Sequence, residues 1–154
     1  MYNWTKCIIF KVFKVFKVEI FFIDGFGGSG KTYFYNTILP AIISKGEIAI
    51  AIALASSGIA SLLLEGGRTA HFILKIPLKC NKQSTYDIKH NTELGKLIQK
   101  AKIFVWNKAQ MLDKYVYEAV DKTFRDLMKN INPKLVHISF GGKTIVFGGD
   151  FRQT

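Results

Sequence analysis

The stretch Ile20-Phe21-Phe22-Ile23-Asp24-Gly25-Phe26-Gly27-Gly28-Ser29-Gly30-Lys31-Thr32 decides the fold. An apolar run of strand length leads into a glycine-rich loop. Lys31-Thr32 then opens a segment that reads as a helix over residues 33–43. Gly25 to Thr32 fit G-x-x-x-x-G-K-[ST], the phosphate-binding loop. Glycine permits positive φ and lets the backbone approach an anion closely. Successive N–H groups then form a nest for phosphate oxygens, and the following helix adds its positive end. In this motif Gly25, Phe26, Gly27, Gly28, Ser29, Gly30, Lys31 and Thr32 are the candidate phosphate-binding residues. Lys31 would reach the β- and γ-phosphates, and the Thr32 hydroxyl would ligate Mg²⁺. The plainer alternative is a glycine-rich turn between two core elements, and the flanking strand and helix argue against it.

Downstream, residues 47–54 are continuously apolar apart from their first position, as suits a parallel strand buried on both faces. A right-handed crossover through the first helix would join the two strands. Ala55-Ser56-Ser57-Gly58-Ile59-Ala60 is a small-residue loop entering a short helix, which Gly66-Gly67 end. Residues 75–91 are polar, contain Pro77 and predict a long surface loop. Thr92 is placed to cap a helix over 93–100. A third strand over 102–106 leads into Asn107-Lys108. The helix after it, about 114–130, carries Val116, Val120, Phe124 and Leu127 at helical spacing, and Asn132-Pro133 breaks it. A fourth strand over 143–147 runs into Gly148-Gly149-Asp150-Phe151-Arg152-Gln153. Strands alternating with helices predict an α/β fold, a parallel sheet with helices on both faces. Ligands of such sheets sit at the carboxyl ends of the strands, where these polar motifs fall.

Ahead of the loop, residues 7–18 contain Lys-Val-Phe-Lys-Val-Phe-Lys-Val and give opposed signals. Their β-branched and aromatic content favours strand. The spacing of Lys11, Lys14 and Lys17 instead places the lysines within about a third of a helix circumference. The segment stays open between helix and strand. The whole chain, 154 residues with 49% hydrophobic content, suits one domain with a real core. A formal net charge of +11 implies an anionic partner: nucleotide, nucleic acid or an acidic membrane surface. No stretch is long and uncharged enough to span a bilayer, and Lys11, Lys14 and Lys17 break the apolar run a signal peptide needs. Cys7 and Cys80 share no metal-ligand spacing with His71, His90 or His137, which argues against zinc and for a reducing compartment.

Several stretches together resemble the PIF-type DNA helicases (petite integration frequency family, helicase superfamily one). Residues 22–32 are similar to that family's motif I, and 55–60 to its motif Ia. Gly66-Gly67-Arg68-Thr69-Ala70-His71 with Lys75-Ile76-Pro77 resembles the segment that follows. Phe140-Gly141-Gly142-Lys143 and Gly148 to Gln153 resemble the run into motif III. The resemblance implies a RecA-like P-loop NTPase domain over 20–154, C-terminally truncated, behind a basic and aromatic segment over 1–19. It implies ATP and Mg²⁺ as cofactors and single-stranded DNA as partner. It also implies five-prime-to-three-prime DNA unwinding in repair, recombination and telomere maintenance, and a nuclear location. By position, Gln153 would sense the γ-phosphate and Asp150 would order that site. Ser56, Ser57, Thr69 and His71 would lie toward DNA, weakly held by one wall of the channel.

The departures from the family pattern are as informative. Asn107-Lys108 stands where the family has Asp-Glu, Gln110 where it has proline, and Phe72 where it often has serine. No glutamine motif precedes Ile20, and Thr154 falls just inside motif III. Asn107 and Lys108 therefore form a degenerate catalytic pair. Asn107 keeps an oxygen without the charge a hard cation favours, and Lys108 is an ammonium with no acceptor. Impaired hydrolysis and weakened Mg²⁺ binding are expected, and the alternative is a non-catalytic nucleotide- or DNA-binding module. In related folds a strand from later in the chain flanks the phosphate-loop strand. Without it, residues 20–23 are expected to form an exposed apolar edge, open to oligomerisation or aggregation.

Overall fold

The computed structural model describes residues 9–15, 18–44, 51–55, 62, 68–77 and 79–150. Strands β1 (Ile9–Val15) and β2 (Val18–Asp24) form an antiparallel hairpin, with Val15 opposite Val18 and Ile9 opposite Asp24. The ambiguous N-terminal segment is thus a strand through residue 15. Its β-branched and aromatic residues suit a pleated surface, and pairing gives the backbone groups of β2 their partners. This corrects the expectation of an open edge at residues 20–23. The edge passes to β1, whose sequence includes Lys11 and Lys14, charges of the kind that discourage edge-to-edge pairing.

The remaining strands are β3 (Ala51–Ala55), β4 (Arg68–Thr69), β5 (Ile103–Asn107) and β6 (Thr144–Gly149). The sheet order is β1-β2-β6-β5-β3-β4, and every pair from β2 to β4 is parallel. The expected α/β architecture holds. Helix α1 (Lys31–Ile43) follows β2, and α2 (Ala70–Leu74) follows β4. Helix α3 (Glu93–Lys100) precedes β5, and α4 (Lys114–Lys129) joins β5 to β6. Thr92 accepts a hydrogen bond from Gly95 N at 3.1 Å, and Asp113 accepts one from Tyr115 N at 2.9 Å, so both long helices of one face start on side-chain caps. β6 runs two residues past its expected end, because Gly148 and Gly149 pair with Ile23 and Asp24 of β2. Residues 45–50, 56–61 and 63–67, with the expected short helix and its glycine stop, lie outside the described residues except Leu62.

Side-chain alternation along the strands divides the core in two. Ile23, Val105 and Val146 face α1 and pack with Tyr35 and Leu39. Phe104, Trp106, Ile145 and Phe147 face the other way and pack with Ile98 of α3 and Val116, Val120, Phe124 and Leu127 of α4. The Phe104 and Phe124 ring centroids are 4.7 Å apart. The segment 75–91 is not purely a surface loop. Ile76, Tyr86 and Ile88 are buried in this second core. The Tyr86 hydroxyl donates to Val116 O at 2.9 Å, and Tyr86 N donates to Thr123 Oγ1 at 3.2 Å, which fastens the segment along α4.

Candidate functional site

The carboxyl end of β2 delivers Asp24, and the chain turns at once into the glycine loop. Gly25 N donates to Gly149 O at 3.1 Å, which pins the start of the loop to the end of β6. Ser29 N donates to Phe26 O at 3.2 Å and closes the turn. Gly28 and Gly30 have φ of 81° and 88°, in the left-handed region where a side chain is strained. Gly30 is the N-cap of α1, and no side chain caps that helix, so its first N–H groups and positive dipole end face the loop uncompensated by side-chain acceptors. The Lys31 ammonium donates to Gly25 O, to Phe26 O at 3.0 Å and to Ser29 Oγ at 3.4 Å, lying back across its own loop.

This loop forms one wall of a cleft of about 430 Å³, whose other lining includes Thr32, Asn107, Lys108, Gln110 and Asp150. Burial pushes the Lys31 pKa below the ordinary lysine range; Asp150 and Asp24 pull it back up, and Lys108 pushes it down. Two carboxylates and a second ammonium are therefore within electrostatic reach of Lys31. Asn107 is the last residue of β5 and is buried. Its Oδ1 accepts from Lys108 N at 3.0 Å. Lys108 sits at φ 54° and ψ 43°, a left-handed conformation that costs a non-glycine residue about 1–2 kcal/mol, and it leads into a 3₁₀ turn over Ala109–Met111.

Of the residues singled out in the sequence, Gly27, Gly28, Gly30, Lys31, Thr32, Asn107, Lys108 and Asp150 thus meet in one cleft. Gln153, Ser56 and Ser57 lie outside the described residues. Thr69 ends β4 beside Ala55 of β3, and its hydroxyl oxygen caps α2 by accepting from Phe72 N at 3.2 Å. His71 is on α2, two residues further on, and Phe72 beside it is largely exposed.

Three further residues support the site through contacts that the motifs containing them did not disclose. Asp24 adds a carboxylate to the electrostatic surroundings of Lys31. Gly148 lets the wholly buried Tyr35 of α1 lie against β6; a Cβ there would stand 1.5 Å from the Tyr35 hydroxyl oxygen. Gly149 does the same for Gln110, whose Oε1 a Cβ would meet at 2.0 Å. The two glycine contacts join residues remote in sequence, and only the assembled sheet brings them together.

A divalent cation is the usual companion of a phosphate loop, held by the loop hydroxyl and an acidic residue at a neighbouring strand end. The donor set at the end of β5 fits it poorly, and the carboxylate that lines the cleft is Asp150, just past the end of β6. Thr32 offers a neutral hydroxyl. Asn107 offers a neutral amide oxygen already accepting from Lys108 N, and Lys108 brings a positive charge to the same cleft. Among the described residues no three His, Cys, Asp or Glu side chains cluster as an all-protein metal site.

A sheet parallel from β2 to β4, with a phosphate loop between β2 and α1 facing the ends of β5 and β6, defines a P-loop α/β domain. The chain belongs to the PIF1-like helicase family, whose model matches residues 2–154. Solved structures agree in fold. Bacteroides Pif1 bound to single-stranded DNA is 25% identical with a TM-score of 0.63, over 80% of this chain and 26% of its own. Bacteroides Pif1 in complex with ADP-AlF4 is 25% identical with a TM-score of 0.65, over 85% of this chain and 28% of its own. Pif1 helicase from Candida albicans, at 22% identity and a TM-score of 0.63 over 81% of this chain and 27% of its own, shares the fold. The chain thus spans about a quarter of the length of these proteins. No curated protein matches it. Among the described residues no helix is long and apolar enough to cross a membrane.

Proposed function

We propose that this chain binds ATP as the nucleotide-holding part of a DNA helicase motor. The observation that carries this is the cleft itself: the glycine loop, Lys31 and Thr32 on one side, Asn107 and Asp150 at the facing strand ends. A phosphate entering the loop would meet the N–H groups at the start of α1 and draw the Lys31 ammonium away from its loop carbonyls. Gln153 would read the γ-phosphate, with Asp150 ordering that site. The related Pif1 structures with ADP-AlF4 and with single-stranded DNA support nucleotide and DNA as ligands. In a whole motor such binding would drive five-prime-to-three-prime unwinding in repair, recombination and telomere maintenance, in the nucleus. Ser56, Ser57, Thr69 and His71 would face the DNA strand. Affinity of this chain for single-stranded DNA, supplied by its basic residues, should be about 10⁻⁴–10⁻⁶ M at physiological salt and should fall steeply as salt is added.

A second reading, nucleotide binding without hydrolysis, is favoured by Lys108. An ammonium at the end of β5 cannot accept a proton from water as a carboxylate base does, and losing a general base costs about 10²–10⁴-fold in rate. An ATPase assay with and without single-stranded DNA, run beside ATP titrations, separates the two. ATP binding that Lys31→Ala abolishes, with no DNA-stimulated turnover, supports binding without chemistry. Turnover that Lys31→Ala abolishes restores the full motor reading and requires a base other than Lys108.

A further inference from the structure

We infer that Lys108 acts in place of a divalent cation: its ammonium, together with that of Lys31, neutralises the phosphates of a bound nucleoside triphosphate, so that the cleft takes nucleotide without metal. This rests on the nucleotide-binding reading above and concerns how that site balances charge. β5, which ends at Asn107, is separated from β2 only by β6. Two strand spacings put the two strand ends about 10 Å apart, a gap that a triphosphate can fill with a lysine reaching in from each side. Lys31 enters from the β2 side and Lys108 from the β5 side, and both line the cleft. Lys108 takes a left-handed conformation at the start of the 3₁₀ turn, and its N–H donates to Asn107 Oδ1. That same bond occupies an acceptor lone pair of the one side-chain oxygen of Asn107, which a cation at this strand end would need. Lysine binds phosphate as a point charge with three donors, which suits the task without any octahedral geometry.

The test is isothermal titration of the full chain with ATP, once in EDTA and once in excess Mg²⁺. The unmodified chain is expected to bind with affinities within about threefold of each other in the two buffers. Lys108→Asn removes the charge and tolerates the left-handed backbone, so it should fold. It should weaken binding in EDTA by about tenfold, the loss of one charge-assisted contact, whereas Lys108→Arg should retain it. The pair Asn107→Asp with Lys108→Glu should reverse the preference, binding tightly only with Mg²⁺. If the unmodified chain binds ten times more weakly in EDTA while Lys31→Ala still abolishes binding in Mg²⁺, the nucleotide site stands and the role of Lys108 falls. Equal affinity of Lys108→Asn and the unmodified chain in EDTA also overturns it. No binding in either buffer overturns the nucleotide site and this inference together.

Discussion

Gly148→Ala should damage the nucleotide site from beneath, without touching a residue of the phosphate loop. The new methyl would stand 1.5 Å from the Tyr35 hydroxyl oxygen and 2.6 Å from its Cζ, against 3.4–4 Å for ordinary contact, so ring and strand must part by about 2 Å. Tyr35 is wholly buried, between β6 and the rest of α1, and cannot swing into solvent. The strain must therefore move α1 itself, whose first residues are Lys31 and Thr32. Overpacking of this kind costs about 1–3 kcal/mol, and for a chain of this size each kcal/mol lowers Tm by about 2–4 °C. Urea denaturation followed by tryptophan fluorescence reads the stability, and ATP titration reads the site. We expect an earlier midpoint and ATP affinity lower by about tenfold, since misplaced positioning groups lose binding steeply. Tyr35→Phe removes the nearest atom and a buried hydroxyl with no hydrogen-bond partner, so alone it should stabilise the fold by about 1 kcal/mol. Combined with Gly148→Ala, Tyr35→Leu should recover part of both losses, and the cycle should show coupling of about 0.5–3 kcal/mol. An unchanged urea midpoint and unchanged ATP affinity in Gly148→Ala would refute the packing argument.

Lys143 is buried with its ammonium on the carbonyls of Gln99, at 2.6 Å, and Ala101, at 2.5 Å, and burial pushes its pKa from 10.5 down to about 8. Between those two values the unfolded chain holds the proton and the folded chain releases it, so stability should rise with pH across that window and the gain should vanish as pH falls through about 8. Urea midpoints from pH 7 to 10 should show this rise in the unmodified chain and a flatter profile in Lys143→Met; parallel profiles would refute it. Thr92→Ala removes the cap of α3 and should cost about 1 kcal/mol, with ATP affinity unchanged because α3 contributes nothing to the cleft. Sedimentation at tens of micromolar should give a monomer, because β1 covers the apolar edge of β2; concentration-dependent association that mutation of β1 leaves intact would contradict that account.

What the sequence determined by itself is local. Gly25 to Thr32 announce a phosphate loop because positive φ and a nest of N–H groups are properties of a few contiguous residues. Thr92 and the 3.6-residue spacing of Val116, Val120, Phe124 and Leu127 announce α3 and α4 for the same reason, since caps and helix faces involve neighbours within a turn or two. Where local signals cancel, as in the Lys-Val-Phe repeat, only the open row of backbone groups along β2 selects a strand. Tyr86 and Ile88 are anchors at irregular spacing, and their burial depends on where α4 passes, not on any period. The packing of Gly148 under Tyr35, and the meeting of Lys31 with Asp150 and Lys108, depend on β6 lying between β2 and β5. That order is set by side chains interdigitating across both faces of the sheet, a property of the whole chain that no single stretch contains.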